Sequence, residues 1–386
     1  MNKPRLTVVL PTLNGGGAEK VFVSTAALLR EDWEIKFVLT DVTRNDDTYA
    51  PKLAELGIPV IRLPAFRRLE TFRKLHPLRR VVLGTKPDVV LSAITGSNAI
   101  VSLALRGTGI PHVMSERKDL RSIFATAIPR PRLYRFLTWL SYRAPNSKAS
   151  IVVSDAIRER ILEDFAPRTP LVSIHNGLDV RRLQSEAEQV PDGVLPGEDV
   201  PSIAFVGRLT SDKNVPLLMN AVAHGEETCR KAHLLLVGKG EEEDRLRNLA
   251  QKLGIAGRVH FLGFRSNPHA WVSRASVFAM SSDAEGFPNA LAEAMLTNGH
   301  CVATDCPTGP SEIIENEKSG LLVPPGDEEA ISRALERMLS DKELRERCAR
   351  NARKWAMENS IENQARAYDD VLRTAAGLPA AEKRDG

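Results

Sequence analysis

Short apolar runs rich in β-branched residues alternate, from the first residues to the last, with stretches in which apolar positions recur every three to four residues. The short runs predict strands and the periodic stretches predict helices, because a helix buries one stripe while a strand inside a sheet buries consecutive or alternate side chains. The first half predicts strands at 6–10, 35–39, 60–63, 89–91, 112–114, 151–153 and 171–174. The pattern restarts after a Pro-, Gly- and acid-rich stretch at 185–201, with strands expected at 203–206, 234–237, 259–261, 277–280, 301–303 and 321–323. Strand and helix in regular alternation argue for parallel sheets covered by helices, and the restart argues for two of them joined by a linker near 180–200. The tail from Asp327 reads as helical. Ser360 is expected to cap a last helix that carries Ile361, Ala365, Tyr368 and Leu372 on one face.

Composition agrees with two domains of ordinary size: 386 residues, 42% apolar and 26% charged. No charged-then-apolar leader and no run near 18 apolar residues is read, so a cytoplasmic protein is expected. The four cysteines, Cys229, Cys301, Cys306 and Cys348, form no C-x-x-C pair and no zinc spacing, which fits incidental thiols.

Charge changes the picture more. Residues 1–180 carry 27 Lys/Arg against 17 Asp/Glu, whereas residues 181–386 carry 26 against 32. Two stretches concentrate the basic excess. Residues 62–80 hold seven Arg/Lys and one acid among Leu63, Phe66, Leu69, Phe72 and Leu75; residues 117–143 hold seven and one among Phe124, Tyr134, Phe136, Trp139 and Tyr142. Basic faces interleaved with apolar and aromatic residues suit an anionic membrane surface, and equally suit a solvated helix whose apolar side is core. Nucleic acid is not expected as a partner, since no helix-turn-helix, zinc-finger or RNA-binding signature accompanies the charge.

In open α/β sheets ligands bind beyond the carboxyl ends of strands, so four post-strand loops stand out. The first is Ser281-Ser-Asp-Ala-Glu285-Gly-Phe-Pro-Asn-Ala-Leu-Ala-Glu293. Pro288 suits the first turn of a helix, and Gly286 and Phe287 then direct backbone amides at a ligand, at the helix end that attracts phosphate. Glu285 lies just outside that helix and Glu293 about one turn inside it, while Leu291 and Met295 face the core. Two glutamates there bind hydroxyls of a sugar and a ribose, or else merely complement the helix dipole. The second loop, Val206-Gly207-Arg208-Leu-Thr-Ser-Asp-Lys213-Asn214, places Arg208 and Lys213 where both can reach a departing diphosphate as it gathers charge, or else leaves them as ordinary solvated loop cations. The third, Gly15-Gly16-Gly17 before Ala18-Glu19-Lys20, lets backbone approach a ligand, or serves a tight strand-to-helix turn. The fourth, Asp305-Cys-Pro-Thr-Gly-Pro-Ser-Glu-Ile313, with Ser311 as a cap, closes over a ligand or punctuates the fold. Gly238-Lys-Gly240 reads as a turn. No Asp-x-Asp and no metal-spaced cluster is present, so metal: none is the expectation, and Arg208, Lys213 and a helix end take the cationic role.

Arg208 and Lys213 in G-R-L-x-x-x-K-N, E-G-F-P-N-A-L-A-E from Glu285 to Glu293, and G-G-G-A-E near the start together resemble glycosyltransferase family 4, over essentially the whole chain. The resemblance implies an α/β protein of the GT-B fold: two Rossmann-like parallel-sheet domains facing a cleft, at 1–183 (acceptor) and 184–359 (donor), with 360–386 crossing back onto the first. It implies a metal-independent retaining enzyme with no cofactor beyond a nucleotide-diphosphate sugar, UDP-linked by preference. Arg208 and Lys213 would hold the diphosphate, Glu285 and the following amides the sugar, and Glu293 the ribose; Gly207, Gly286, Phe287, Pro288, Asn289 and Phe264 complete the expected donor site. The acceptor, a polyprenyl-diphosphate-linked or other cell-surface glycan, is expected at Gly15, Gly16, Gly17, Glu116 and Arg117. Many members carry a histidine after the fifth strand, where Ser115-Glu116-Arg117 stands here. The basic first half would meet the anionic inner face of the cytoplasmic membrane. A sugar-nucleotide 2-epimerase of the same fold and a non-catalytic sugar-nucleotide-binding protein are the rival readings.

Overall fold

A computed structural model of the chain describes residues 3–14, 17–41, 48–64, 71–126, 131–193, 197 and 200–381. The chain divides into two compact units, Met1–Gly177 with Ile361–Gly386, and Leu178–Ser360. The boundary expected at 183/184 falls inside the helix Val180–Glu188. That helix packs on two helices of the second unit, His269–Val272 and Asn289–Thr297, which is why the division comes before it.

The first unit holds β1 (Arg5–Leu10), β2 (Glu34–Leu39), β3 (Val60–Arg62), β4 (Val89–Ala93), β5 (His112–Glu116), β6 (Ser147–Val152) and β7 (Leu171–Ser173), in the order β3-β2-β1-β4-β5-β6-β7. Every pair is parallel, with Leu6 opposite Ile35 on one side and Val89 on the other. Helices cover both faces of such a sheet, so its central strands are buried on both sides and read as unbroken apolar runs. Three strands run well past their apolar runs. β4 continues through Ser92 and Ala93 and β5 through Ser115 and Glu116, where the Ser92 hydroxyl donates to Asn98 Oδ1 and Glu116 accepts from Thr95 and Asn98. β6 starts early, at Ser147.

The last helix, Ile361–Ala376, belongs to this unit and packs on the helix Gly17–Leu29. Its expected face is realised in Ala365, Tyr368 and Leu372, all buried; Ile361 is half-buried. Tyr368 meets Phe22 edge-on, ring centroids 6.2 Å apart. A fully buried side chain such as Leu372 contributes about 1.5–3 kcal/mol. A polar contact ties the helix in register to the unit, Trp33 Nε1 donating to Asp369 Oδ1 at 2.6 Å, and within the helix Arg373 Nε donates to Asp369 Oδ2 at 2.8 Å, orienting that carboxylate.

The second unit repeats the plan with β8 (Ser202–Val206), β9 (His233–Val237), β10 (Val259–Gly263), β11 (Val277–Met280), β12 (Cys301–Thr304) and β13 (Leu321–Val323), in the order β10-β9-β8-β11-β12-β13. Its core runs from Ile203 and Phe205 through Leu218 and Leu236 to Leu335 and Met338. The four cysteines are all buried. Two expected helix starts are corrected. Pro288 is the residue before the helix Asn289–Thr297, its carbonyl accepting the Ala292 N–H at 3.1 Å. Ser311 is exposed and caps nothing: Gly309, with φ +99°, turns the chain into the short helix Pro310–Ile313 and Pro310 occupies its first position.

Candidate functional site

Strand order reverses at β8 in the second unit, with β9 on one side and β11 on the other, and ligands of open α/β sheets bind at such reversals. The loops that leave β8 and β11 are therefore neighbours, although their sequences lie far apart. Lys213 closes the short turn Ser211–Lys213 after β8, and its Nζ donates to Glu285 Oε1 at 2.6 Å. Ser282 Oγ donates to the same oxygen at 2.8 Å. Three further bonds stitch the loops together: Ser281 Oγ to the Lys213 carbonyl at 2.8 Å, the Asp283 N–H to the Asp212 carbonyl at 2.9 Å, and Asn214 Nδ2 to Asp283 Oδ1 at 3.0 Å. Lys213 and Glu285 side chains are 17% and 13% exposed. Arg208 lies in the same loop and is exposed. Burial works against the charge of Asp212 between them, but the Thr210 hydroxyl, Lys213 and Arg208 outweigh it and hold that carboxyl below the usual range.

The Gly238-Lys-Gly240 segment, a mere turn in the sequence, is what seats the Arg208 loop. The Gly207 N–H donates to the Val237 carbonyl and the Leu209 N–H to the Lys239 carbonyl, both at 3.0 Å. A Cβ on Gly238 would stand 1.8 Å from the Gly207 oxygen, and one on Gly240 2.1 Å from the Leu209 oxygen. Only glycine permits backbone to approach backbone so closely. The two-residue spacing of these glycines right after a strand was the available signal.

From the other side, the loop after β12 supports the Glu285–Pro288 segment. Thr308 Oγ1 donates to the Glu285 carbonyl, and a Cβ on Gly309 would stand 2.7 Å from Pro288 Cδ. Cys306 is buried here; burial and the nearby Glu285 carboxylate push its thiol up to about 12, which makes it an inert filler. In the structure this loop braces the Glu285 segment, a role beside the two expected for it. Phe287 and Pro288 are buried, while Gly286 and Asn289 are half-buried at the helix start, the electropositive end of the helix. Leu291 and Met295 face the core as expected. Glu293 lies one turn in, 16% exposed and beside His269. Phe264 stands apart: it follows the edge strand β10, two strands from β8, and is 72% exposed. Gly207 stays with the Arg208 loop.

In the first unit the order reverses between β1 and β4. Gly15 and Gly16, which follow β1, lie outside the described residues; Gly17 opens the helix Gly17–Leu29 and is exposed. After β4, Ile94 holds a left-handed φ of +73° and opens the helix Thr95–Ala104. A β-branched residue there is strained, and such strain gathers at functional sites. Thr95 Oγ1 and Asn98 Nδ2 donate to the two oxygens of Glu116 at 2.9 and 2.8 Å. Burial pushes the Glu116 carboxyl up to about 7, against the pull of Asn98 and Thr95. Sequence reading missed Thr95 and Asn98. Arg117 is turned inward: its guanidinium donates to Tyr368 Oη at 3.2 Å and to Asn176 Oδ1, and lies 5.5 Å from the centre of the Phe22 ring.

Of the two basic stretches, residues 65–70 and 127–130 lie outside the described residues. The helix Pro131–Ser141 in the second of them buries Leu137, Thr138 and Ser141, yet Phe136 and Trp139 stay 53% and 39% exposed, stacked 5.9 Å apart. The Arg143 guanidinium lies 4.3 Å over Trp139. No helix of the described residues is long and apolar enough to cross a membrane, and no group of three or more His, Cys, Asp or Glu among them is placed to hold a metal ion.

Two family models match the chain: "Glycosyl transferases group 1" over residues 188–355 and "Glycosyl transferase 4-like domain" over residues 16–177. Among similar proteins, a Campylobacter jejuni GalNAc-α-(1→4)-GalNAc-α-(1→3)-diNAcBac-PP-undecaprenol α-1,4-N-acetyl-D-galactosaminyltransferase is 25% identical over 360 residues, covering 92% of this chain and 95% of the relative. The lipopolysaccharide core biosynthesis glycosyltransferase LpsE of Rhizobium meliloti is 28% identical over 336 residues, 86% of this chain and 88% of LpsE. The crystal structure of Anabaena HepE in complex with UDP has the same fold, with a TM-score of 0.81 at 20% identity over 96% of this chain and 100% of HepE.

Proposed function

The chain belongs to glycosyltransferase family 4 and has the GT-B fold, and on that footing we propose that it moves a hexose or N-acetylhexosamine, with retention, from a UDP-sugar to a lipid-linked glycan. One observation carries the reading: Lys213 and Glu285 meet where the strand order reverses, at the start of a helix. Breaking a sugar–phosphate bond sheds negative charge onto the diphosphate, and Lys213, Arg208 and the helix start are preorganised positive groups for it. They supply locally the charge that a metal ion would supply, so the transfer is read as metal-independent. Glu285, with Gly286 and the segment to Asn289, takes the sugar, and Glu293 the ribose.

As the diphosphate leaves, its oxygen accepts the proton of the acceptor hydroxyl, which attacks the anomeric carbon from the same face. No covalent nucleophile is required. The acceptor is assigned to the first unit, to the glycine segment at Gly15–Gly17 and to the groups around Glu116. Its class follows the Campylobacter relative, whose name specifies an undecaprenol-diphosphate-linked substrate. The exposed Phe136 and Trp139 beside Arg143 suit docking at the anionic inner face of the cytoplasmic membrane.

The test is incubation with a panel of labelled UDP-sugars and a polyprenyl-diphosphate-linked glycan, with and without EDTA. The expected product is an extended glycan whose new linkage keeps the donor's anomeric configuration, formed equally in EDTA. An inverted linkage would refute retention, and loss in EDTA would refute metal independence. Free epimer without acceptor would replace the transferase reading, and tight UDP-sugar binding without turnover would leave a binding protein. Flotation with anionic liposomes tests the membrane surface; protein left in solution removes it.

A further inference from the structure

Glu293 shares its surroundings with a histidine. His269 opens the short helix His269–Val272, where Asn267 Oδ1 accepts the backbone N–H groups of His269 and Ala270 at 3.1 and 3.3 Å. Its side chain is 5% exposed, and Nε2 lies 3.7 Å from Glu293 Oε2 and 3.6 Å from Glu186 Oε2. Both separations are ion-pair distances rather than hydrogen bonds, and since a carboxylate only accepts, an N–H or a positive charge on the ring is what both carboxylates attract. The two separations are nearly equal, and the ring is shared between the carboxylates.

The two sides are not alike. Glu186, on the helix Val180–Glu188, is anchored: Arg182 Nη1 donates to both its oxygens at 2.7 and 2.8 Å, and Asn267 Nδ2 donates to its carbonyl at 2.8 Å. Glu293 stands on the helix Asn289–Thr297, and its side chain is about as withdrawn from water as that of Glu186. Without the ring, two carboxylates would face one another in a poorly solvated pocket, and like charges at that range repel. Glu293 would turn away from Glu186.

We infer that His269 is the positioning residue of the nucleotide's ribose contact, holding the Glu293 carboxylate at the angle from which it takes the ribose hydroxyls. The inference rests on the assignment of Glu293 to ribose made above.

Isothermal titration of the full chain with UDP and with 2′,3′-dideoxy-UDP tests it. The wild-type protein is expected to bind UDP roughly 10- to 100-fold more tightly than the dideoxy analogue, the range for a hydrogen-bonded pair with one charged partner. His269→Ala should weaken UDP by about that factor, leave the dideoxy analogue unchanged and so erase the discrimination. His269→Gln, which keeps a side-chain N–H donor for the carboxylates, should restore part of it, and serves alone if the alanine variant does not fold. Full discrimination in either folded variant overturns the role of His269 while leaving Glu293 in place. A wild-type protein that binds both compounds equally overturns the ribose assignment itself, and the inference with it.

Discussion

Lys213 Nζ and Glu285 Oε1 are 2.6 Å apart across 72 residues of sequence, and both side chains are largely withdrawn from water. A cation and an anion so placed act as one unit, each fixing the other's direction. Lys213→Ala and Glu285→Ala should each lower kcat/KM by roughly 100- to 1,000-fold, the scale of removing one preorganised charge-stabilising group. The double variant should lose little more than the worse single one, because the contact is lost at the first substitution. Steady-state kinetics with a circular-dichroism check of folding measures this; independent, multiplying losses would contradict the pairing.

The Arg208 loop is seated by close backbone contact. Gly238 has φ +144° and lacks room for a Cβ beside the Gly207 carbonyl. Gly238→Ala should cost about 3 kcal/mol or more and weaken UDP binding, since the loop must lift off its neighbour. Gly257, which has open space around it, is the control: Gly257→Ala should stay within about 0.5 kcal/mol. Thermal unfolding with and without UDP compares them.

Asp369 satisfies two donors at once, the buried Trp33 Nε1 and the half-buried Arg373 Nε. Asp369→Ala leaves both without an acceptor and should cost about 2–4 kcal/mol. The last helix should then be released first, seen as faster limited proteolysis within 361–376 ahead of global unfolding. Asp369→Asn, keeping one acceptor, should fall between.

Glu116 predicts a pH dependence of stability. Its carboxyl titrates near 7 in the folded protein and near 4.5 as an ordinary glutamate, so between those values the folded chain holds a proton that the unfolded chain has lost. Stability from this group therefore falls as pH rises from about 4.5 to 7 and stays reduced above. Glu116→Gln removes the effect: Asn98 still meets an oxygen, and the Thr95 hydroxyl turns to accept from the amide. The variant should melt higher than wild type at pH 8, by an amount on the order of 2 kcal/mol, and equally at pH 4. A constant difference at both pH values would contradict it.

Much of the molecule was legible in one dimension. Of the 13 strands among the described residues, β6 starts at Ser147, four residues before its run, because Ser147, Lys148 and Ser150 interrupt the pattern. The other twelve lie where short apolar runs place them, because a strand buried on both faces reads as a continuous apolar run. The face of the last helix was legible for the same reason, in its 3.6-residue period. The residue types from Glu285 to Glu293 were legible as polar chemistry around a helix start.

Tertiary structure decided what local pattern does not encode. Strand order is set by how helices cross over the sheet, and it alone makes the loops of Lys213 and Glu285 neighbours. Gly238 and Gly240 became part of the site only once another loop's carbonyls lay against them. Glu116 and Arg117, expected from the sequence at the acceptor, are buried, because Thr95, Asn98, Tyr368 and Asn176 come from elsewhere to partner them. Periodicity records which face is buried, whereas a polar group's partner depends on segments that only the folded chain brings together.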